Sequence, residues 1–184
     1  EAMERGGITA ATGERSVKHS DLVAVARRRL KVYERCPIVI TELVTSAQET
    51  PDAIGWKRSG HTIVIECKAS RADFLADAKK YFRRNPERGM GAFRYYLAPV
   101  GMIRIDEVPA GWGLLEVTGK GVAAPLISHA VGCPCQWGNH ESAFATRSLA
   151  GETAMLVSLI RRLAGPGVCG RATVDIAAYE NDEH

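Results

Sequence analysis

Residues 50–70 constrain the fold more than any other part of the chain, because they predict two β-strands joined by a short basic turn. The first strand follows Thr-Pro-Asp, and the second runs Thr-Ile-Val-Ile-Glu-Cys-Lys-Ala-Ser. A turn centred on Ser59 places Asp52 directly opposite Glu66, where facing Cβ atoms lie about 4.5–5.5 Å apart. The segment therefore predicts two carboxylates close together on one hairpin.

The alternation of side chains along a strand defines the faces of this hairpin. Lys68 lies on the same face as Glu66, and Cys67 points to the opposite face. The Ile-Val-Ile run before Glu66 is apolar on both faces, which is typical of a central strand. Two neighbouring carboxylates repel unless a cation lies between them, so a divalent metal ion and Lys68 are the candidates. An exposed hairpin with a cross-strand ion pair is the simpler alternative.

The composition permits many functions and excludes few. The 184 residues predict one domain, with 46% hydrophobic and 24% charged residues. We expect residues 1–18 to be disordered, residues 19–165 to form the domain and residues 166–184 to form a tail. No apolar run approaches the ~20 residues of a membrane helix, so we expect no membrane partner. Five irregularly spaced cysteines favour a reducing cytoplasm over a disulfide framework.

Basic clusters surround the hairpin in the first half of the chain. The net charge of +3 is too small to demand a nucleic-acid partner. A single cluster is typical of a solvated helix face, whereas several beside one acidic pocket favour an anionic ligand. The clusters are Arg27-Arg28-Arg29, Lys57-Arg58, Lys79-Lys80, Arg83-Arg84 and Arg88.

The remaining pattern predicts a mixed sheet with helices on its faces, an α/β fold. A helix over residues 21–35, capped by Ser20, precedes a strand over 38–44 and then the hairpin. Ser70 is predicted to cap one helix that continues to Asn85. The apolar face predicted for this helix is Phe74, Leu75, Ala78, Tyr81 and Phe82.

Later elements are predicted more coarsely. Residues 85–91 contain two glycines and form a candidate mobile flap, followed by strands over 92–98, 102–105 and 113–117. Residues 118–142 predict a loop, and residues 147–164 predict an amphipathic helix. The apolar face of that helix is Met155, Leu156, Leu159, Ile160 and Leu163.

Pro51-Asp52 followed by Glu66-Cys67-Lys68 resembles the motif of the PD-(D/E)xK nuclease superfamily. Members of that superfamily have a restriction-endonuclease-like αβββαβ core with the motif on the second and third strands. The run from Glu66 to Phe74 (Glu-Cys-Lys-Ala-Ser-Arg-Ala-Asp-Phe) also resembles small single-domain bacterial members, including the MmcB-like DNA-repair proteins. The resemblance covers about residues 20–117 and implies a DNA nuclease active in repair, restriction or phage-related processes.

The resemblance implies a role for each motif residue. Asp52 and Glu66 would hold Mg²⁺ or Mn²⁺, which prefer oxygen ligands, with the Cys67 backbone carbonyl as a third ligand. Lys68 would assist the attacking water, so Asp52, Glu66 and Lys68 are the predicted catalytic residues. Glu42 is a candidate auxiliary metal ligand. Glu49 is a candidate neighbour of the site, although a surface carboxylate is the commoner interpretation of both glutamates.

DNA is the expected partner, RNA remains open, and a homodimer is a candidate assembly. The predicted nucleic-acid contacts are Lys79, Lys80, Arg83 and Arg58. The principal alternative is a catalytically silent nucleic-acid-binding or assembly domain on the same fold.

A zinc-stabilised scaffold is a further alternative. Cys133-Pro134-Cys135 lies between His129 and His140. Zinc knuckles usually have two to four residues between the cysteines, and here there is one, so an ordinary loop is favoured.

Overall fold

The structure is a computed structural model that describes residues 17–45, 47, 49–118, 126–129, 144–164 and 173–176, with only the backbone described at 126–129, 164 and 173–176. A mixed seven-stranded sheet has the order β6-β5-β4-β3-β2-β1-β7. The strands are β1 (Ile38–Thr41), β2 (Ala53–Trp56), β3 (Thr62–Cys67), β4 (Phe93–Pro99), β5 (Trp112–Val117), β6 (Leu126–His129) and β7 (Thr173–Ile176). The helices are α1 (His19–Arg28), α2 (Arg71–Asp77), α3 (Tyr81–Arg84) and α4 (Leu149–Ala164). The predicted α/β class is confirmed.

The hairpin has the predicted register. Strands β2 and β3 are antiparallel, with Ala53 opposite Ile65, so the next pair outward is Asp52 and Glu66. Strand β3 is central because β4 pairs with its other edge in parallel. All six residues of β3 are buried, as the apolar run before Glu66 predicts.

Helices cover both faces of the sheet. On one face, α1 packs through Leu22 and Ala26 onto the core that contains Cys67. On the other face, α4 packs through Met155 onto Val64, and α2 also lies on this side. Because side chains alternate along β3, Glu66 and Lys68 point toward α2 and α4.

The first helix and strand differ from their predicted bounds. Lys18 precedes α1 without a side-chain cap, so Ser20 is not the cap, and α1 continues into a π-helical turn at Arg29–Tyr33. Strand β1 ends at Thr41 rather than at residue 44. Glu42 has a φ of 50°, a left-handed conformation that turns the chain out of the sheet.

The helix after the hairpin is broken, although one helix was predicted. Ser70 caps α2 as predicted, since its hydroxyl accepts a hydrogen bond from the Asp73 N–H. The chain then leaves the helix before α3 begins. The predicted apolar face is wrong for Leu75 and Tyr81, which are 52% and 49% exposed, and for Ala78, which is also exposed. Lys80, which lies in the break, forms an ion pair with Asp77 of α2.

Residues 85–91, which were predicted to form a mobile flap, are anchored by hydrogen bonds to the rest of the protein. The buried Arg94 guanidinium donates hydrogen bonds to the carbonyl oxygens of Pro86, Gly89 and Gly91. A short 3₁₀ turn, Pro86–Arg88, occupies part of the segment. Burial lowers the pKa of Arg94 to about 10.

Several outer elements of the structure differ from the predictions. Residues 102–105 form no strand, and a 3₁₀ turn lies at Ile105–Glu107. Strand β6 lies within the predicted loop, and β7 lies within the predicted tail and pairs with β1. Ile160 and Leu163 of α4 are exposed, so the predicted apolar face of that helix is too wide.

Two predictions, the zinc alternative and the disorder expected for residues 1–18, concern parts of the chain with little or no description, and residues 1–16 lie outside the described residues. Residues 133–135 and 140, on which the zinc alternative depends, lie outside the described residues, as does the side chain at 129. None of the described helices has the length and apolarity needed to cross a bilayer.

Candidate active site

Asp52 is fixed at the end of the hairpin by the backbone of the neighbouring strand. Its Oδ2 accepts a hydrogen bond of 2.7 Å from the Cys67 backbone N–H. The Cys67 side chain points into the core beside α1, as predicted, and burial raises the pKa of its thiol. The Asp52 carboxylate therefore lies beside the peptide that joins Glu66 to Cys67.

Glu66 is buried among cations. Its Oε2 lies 3.4 Å from Lys68 Nζ, 3.3 Å from Arg83 Nη2 and 3.7 Å from Lys80 Nζ. A buried carboxylate is costly unless it is paired, and these three cations supply the pairing. The atom pair that joins Glu66 to each of these three cations involves Oε2.

Asp77 organises the cations, and the sequence prediction missed it. Its Oδ1 lies 3.0 Å from Lys68 Nζ and 2.8 Å from Lys80 Nζ. Its Oδ2 accepts from Arg83 Nε at 2.5 Å and from the Tyr96 hydroxyl at 2.7 Å. Burial opposes the charged form, but Arg83, Lys80 and Lys68 outweigh it and hold the pKa of Asp77 well below its usual range.

A signal for Asp77 was present in the sequence. It lies three residues after Phe74 on a short helix, so both side chains point to the same face. Phe74 and Asp77 are the two buried residues of α2. A carboxylate on the buried face of a helix beside a predicted cluster of charges is a candidate site residue.

Arg83 links three carboxylates and is not on the surface. Its side chain is 4% exposed, and its Nη1 lies 3.1 Å from Glu49 Oε1. Its guanidinium also lies over the Trp112 ring, 4.5 Å from the ring centroid. Although burial opposes its charge, Glu66 and Asp77 raise the pKa of Arg83 above its usual range. The predicted role as an exposed phosphate contact does not match this placement.

Glu49 joins the cluster, as its position before Pro51 suggested. Its Oε2 accepts a hydrogen bond of 2.6 Å from the Met90 N–H, and its other oxygen pairs with Arg83. Burial raises the pKa of Glu49. Because Glu49 touches residue 90, it connects the ionic cluster to the anchored segment 85–91.

The other predicted nucleic-acid contacts are dispersed. Lys80 is 51% exposed at the edge of the cluster, and Lys79 is exposed beside it. Arg58 is exposed in the turn between β2 and β3, at the opposite end of the hairpin from Asp52. Lys80 alone among these three contacts the predicted catalytic carboxylates.

The electrostatic environment of Asp52 supports a cation site. Burial, and then the negative charge of Glu66, raise the pKa of Asp52 to about 6. The Cys67 N–H, His19 and Lys68 act in the opposite direction. The two carboxylates are thus close enough to repel, as the hairpin register predicts.

His19 reaches the site from the beginning of α1, although the sequence suggested no partner for it. Its Nε2 lies 3.5 Å from Asp52 Oδ1 and 3.8 Å from Glu42 Oε1. The Glu42 side chain is 42% exposed, and its backbone N–H donates to the Asp52 carbonyl. Glu42 therefore lies at the rim of the site, in contact with Asp52 through its backbone and through His19.

The donor set fits a magnesium-type ion better than zinc. In the described part of the chain, no three His, Cys, Asp or Glu side chains meet in a group that could hold a metal ion. Asp52 Oδ1 and Glu66 Oε1 are hard oxygen donors, and each belongs to a carboxylate whose other oxygen is engaged. Mg²⁺ is usually held by one or two carboxylates and several waters, so two carboxylates suffice.

Fold and site together define a mixed α/β protein with a buried ionic centre at the end of its central hairpin. No protein-family model and no curated protein matches the sequence. A solved structure of a protein of unknown function from Silicibacter pomeroyi is similar, with a TM-score of 0.52 and 22% sequence identity. The match covers 83% of this chain and 97% of that one, and at this identity it shows the fold alone.

Proposed function

We propose that the chain is a metal-dependent nuclease that hydrolyses phosphodiester bonds in DNA, in repair, restriction or phage-related processes. Its core would be of the restriction-endonuclease-like PD-(D/E)xK type. The observation that carries the proposal is the register of the hairpin, which sets Asp52 opposite Glu66 and beside the Cys67 peptide. Lys68 directly follows β3, and its Nζ lies 3.4 Å from Glu66 Oε2, which supports the same assignment.

Asp52 and Glu66 would hold Mg²⁺ or Mn²⁺, with the Cys67 carbonyl as a backbone ligand and Glu42 at the rim. When bound, the ion polarises the phosphate and activates water. The protein contributes a buried, preorganised environment. Such an environment strengthens electrostatic interactions with the charge that develops on the phosphate.

Lys68 is the residue that would act on the attacking water. Its side chain is 2% exposed and is held between Glu66 and Asp77. Tyr96 donates to the same Asp77 carboxylate, so Asp77 is constrained from two sides. Asp77 therefore serves as a positioning residue that fixes the Lys68 ammonium group beside the carboxylates.

Lys80 would contact the phosphate backbone at the entrance to the site. It is half-exposed and currently pairs with Glu66 and Asp77. A phosphate that attracted Lys80 would weaken its contact with Glu66 and leave more of that carboxylate for the metal ion. Substrate binding and metal binding would then assist one another.

Replacement of Asp52 tests the proposal directly. Wild-type protein is expected to nick supercoiled plasmid DNA in magnesium chloride and to stop on addition of EDTA. Asp52→Ala is expected to lose the cleavage while keeping its circular-dichroism spectrum, because one of two metal carboxylates is gone. Asp106→Ala, which removes an exposed carboxylate outside the site, is the matched control. Magnesium-dependent cleavage at the parental rate by Asp52→Ala would refute the nuclease assignment.

A catalytically silent DNA-binding or assembly domain is the second candidate. The pairing of Glu66 with Lys80 and Arg83 favours it, because these two cations compensate the charge of Glu66 without a metal ion. Salt-dependent DNA binding that ignores magnesium and Asp52→Ala, with no nicking, would favour this candidate. Binding that strengthens with magnesium only when Asp52 is present would favour the nuclease.

Metal binding is expected to depend on pH through Asp52. Its pKa rises from 3.8 in the unfolded chain to about 6 in the fold. The folded state therefore binds the extra proton, and this group's contribution to stability falls as pH rises through that window. Since Mg²⁺ needs the carboxylate, magnesium chloride should raise the melting temperature more at about pH 7.5 than at about pH 5.

Differential scanning fluorimetry at both pH values measures this effect. Asp52→Asn, which carries no charge at either pH, is the control and should abolish the difference. An equal magnesium shift at both pH values would contradict the expected role of Asp52.

A further inference from the structure

A cavity of about 280 Å³ lies beside the ionic cluster, between α3 and the beginning of α4. Its volume is near the lower end of ligand pockets, which are about 300–1,000 Å³. Tyr81 and Phe82 supply aromatic walls, Met90 supplies an apolar surface and Arg88 supplies a cation. Ala154 of α4 forms part of the opposite wall.

The Arg83 side chain alone lies between Glu49, which lines the cavity, and Glu66 of the candidate active site. Glu49 lines the cavity, and its carboxylate pairs with Arg83 at 3.1 Å. Arg83 in turn lies 3.3 Å from Glu66. A ligand in the cavity and a phosphate at Glu66 would therefore be neighbouring parts of one substrate.

The chemistry of the rim favours a nucleobase. Tyr81 is 49% exposed and meets Phe82 edge to face, with ring centroids 5.4 Å apart. Aromatic side chains stack on unpaired bases with little dependence on sequence. The exposed cations around them, Lys79, Arg84 and Arg88, suit the phosphates of the same strand.

We infer that this cavity accepts an unpaired nucleobase of the strand bound at Asp52 and Glu66. The inference rests on the proposed function and narrows its substrate to single-stranded or locally unpaired DNA. A base inside a duplex cannot enter this cavity without leaving its stack, which costs free energy. Unpaired DNA is therefore expected to bind more tightly than the same sequence as a duplex.

The test measures binding without cleavage, in the Asp52→Ala background and in EDTA. Fluorescence anisotropy with a fluorescein-labelled single-stranded oligonucleotide is compared with the same oligonucleotide annealed to its complement. Tyr81→Ala should weaken single-strand binding about tenfold, within the range expected for loss of one stacking contact, and duplex binding less than about twofold. Tyr81→Phe should retain the affinity, because stacking needs the ring and not the hydroxyl.

Two further variants make the test specific. Ala154→Phe fills the cavity from α4 without changing charge and should also weaken single-strand binding. Tyr33→Ala removes another exposed tyrosine, 56% exposed in the π-helical turn, and should have no effect. A polyglutamate peptide should compete only weakly with the single-stranded oligonucleotide for binding.

Equal losses on single strand and duplex, or retained affinity in Tyr81→Ala, would overturn the inference. A peptide that competes as well as DNA would overturn it too, by assigning the cavity to an acidic protein partner. The result is independent of nicking. If Tyr81→Ala loses the preference for single-stranded DNA, the cavity is supported as a base-binding site even if the wild-type protein never cuts DNA. If the protein cuts DNA but has no such preference, only the nuclease proposal is supported.

Discussion

Replacing Lys68 with methionine is expected to lower kcat/KM for magnesium-dependent cleavage about 10²–10⁴-fold, with little change in DNA binding. Lys68 is buried and aimed at Glu66 and Asp77, so its ammonium group acts at the reacting centre and not on the outer phosphates. Methionine keeps the unbranched chain and removes only the charge. Asp77 keeps Lys80, Arg83 and Tyr96 as partners, so the fold should persist.

Single-turnover cleavage of a labelled substrate measures this effect. Lys31→Met, on the exposed surface of the π-helical turn, is the control for loss of one lysine charge and should cleave normally. A Lys68→Met protein with parental kcat/KM would remove Lys68 from the mechanism.

Asp77→Asn separates positioning from chemistry in the same assay. The amide oxygen can still accept from Lys68, but the negative charge beside its ammonium group is lost. We expect kcat to fall while KM changes little. A loss of stability with an unchanged kcat would assign Asp77 a structural role only.

The hairpin was predictable because its determinants are local. Side-chain alternation and the position of one turn define which residues of β2 and β3 face each other. That register is present, from Ala53 opposite Ile65 to Trp56 opposite Thr62. The Ser70 cap was predictable for the same reason, since the Asp73 N–H that it accepts from lies three residues later.

The cations of the site were not predictable in the same way. Periodicity predicted one helix with Tyr81 on its buried face, and tertiary ion pairs overrode that local preference. Lys80 and Arg83 pair with Asp77 and Glu66 across a break in the helix that periodicity did not predict. Local propensity contains no information about a carboxylate on another strand.

His19 and β7 were missed because their contacts span the chain. His19 contacts Asp52, which lies more than thirty residues later in the chain. No local sequence pattern relates the start of a helix to a hairpin that far away. Strand β7 was predicted to be a tail, yet it forms the edge of the sheet beside β1. Pairing over such a separation depends on the open edge of β1, which exists only after the sheet has formed.

Replacing Arg83 with methionine is expected to destabilise the fold by about 3–5 kcal/mol, the usual cost of removing one partner from a buried ion pair. Arg83 touches the carboxylates of Glu49, Glu66 and Asp77 while being 4% exposed. The stability of Arg83→Lys should fall between that of the wild type and that of Arg83→Met, because one ammonium group cannot reach all three carboxylates. Urea unfolding at neutral pH measures the difference. Arg104→Met, at a surface pair 73% exposed, should cost little, because exposed ion pairs are screened by solvent.

The pH and metal dependence of this loss distinguish ionic from packing causes. Arg83 and the two lysines depress the pKa of Asp77 below its ordinary value of 3.8. The stability that this depression provides is present above that value and is lost as pH falls. The difference in stability between wild type and Arg83→Met should therefore narrow at acidic pH, whereas a packing defect would leave it constant.

Magnesium should restore part of the stability of Arg83→Met at neutral pH, because a cation at Asp52 and Glu66 replaces positive charge that Arg83 supplied. Failure of magnesium to do so, in a variant confirmed to be folded, would argue that Glu66 does not bind the metal ion.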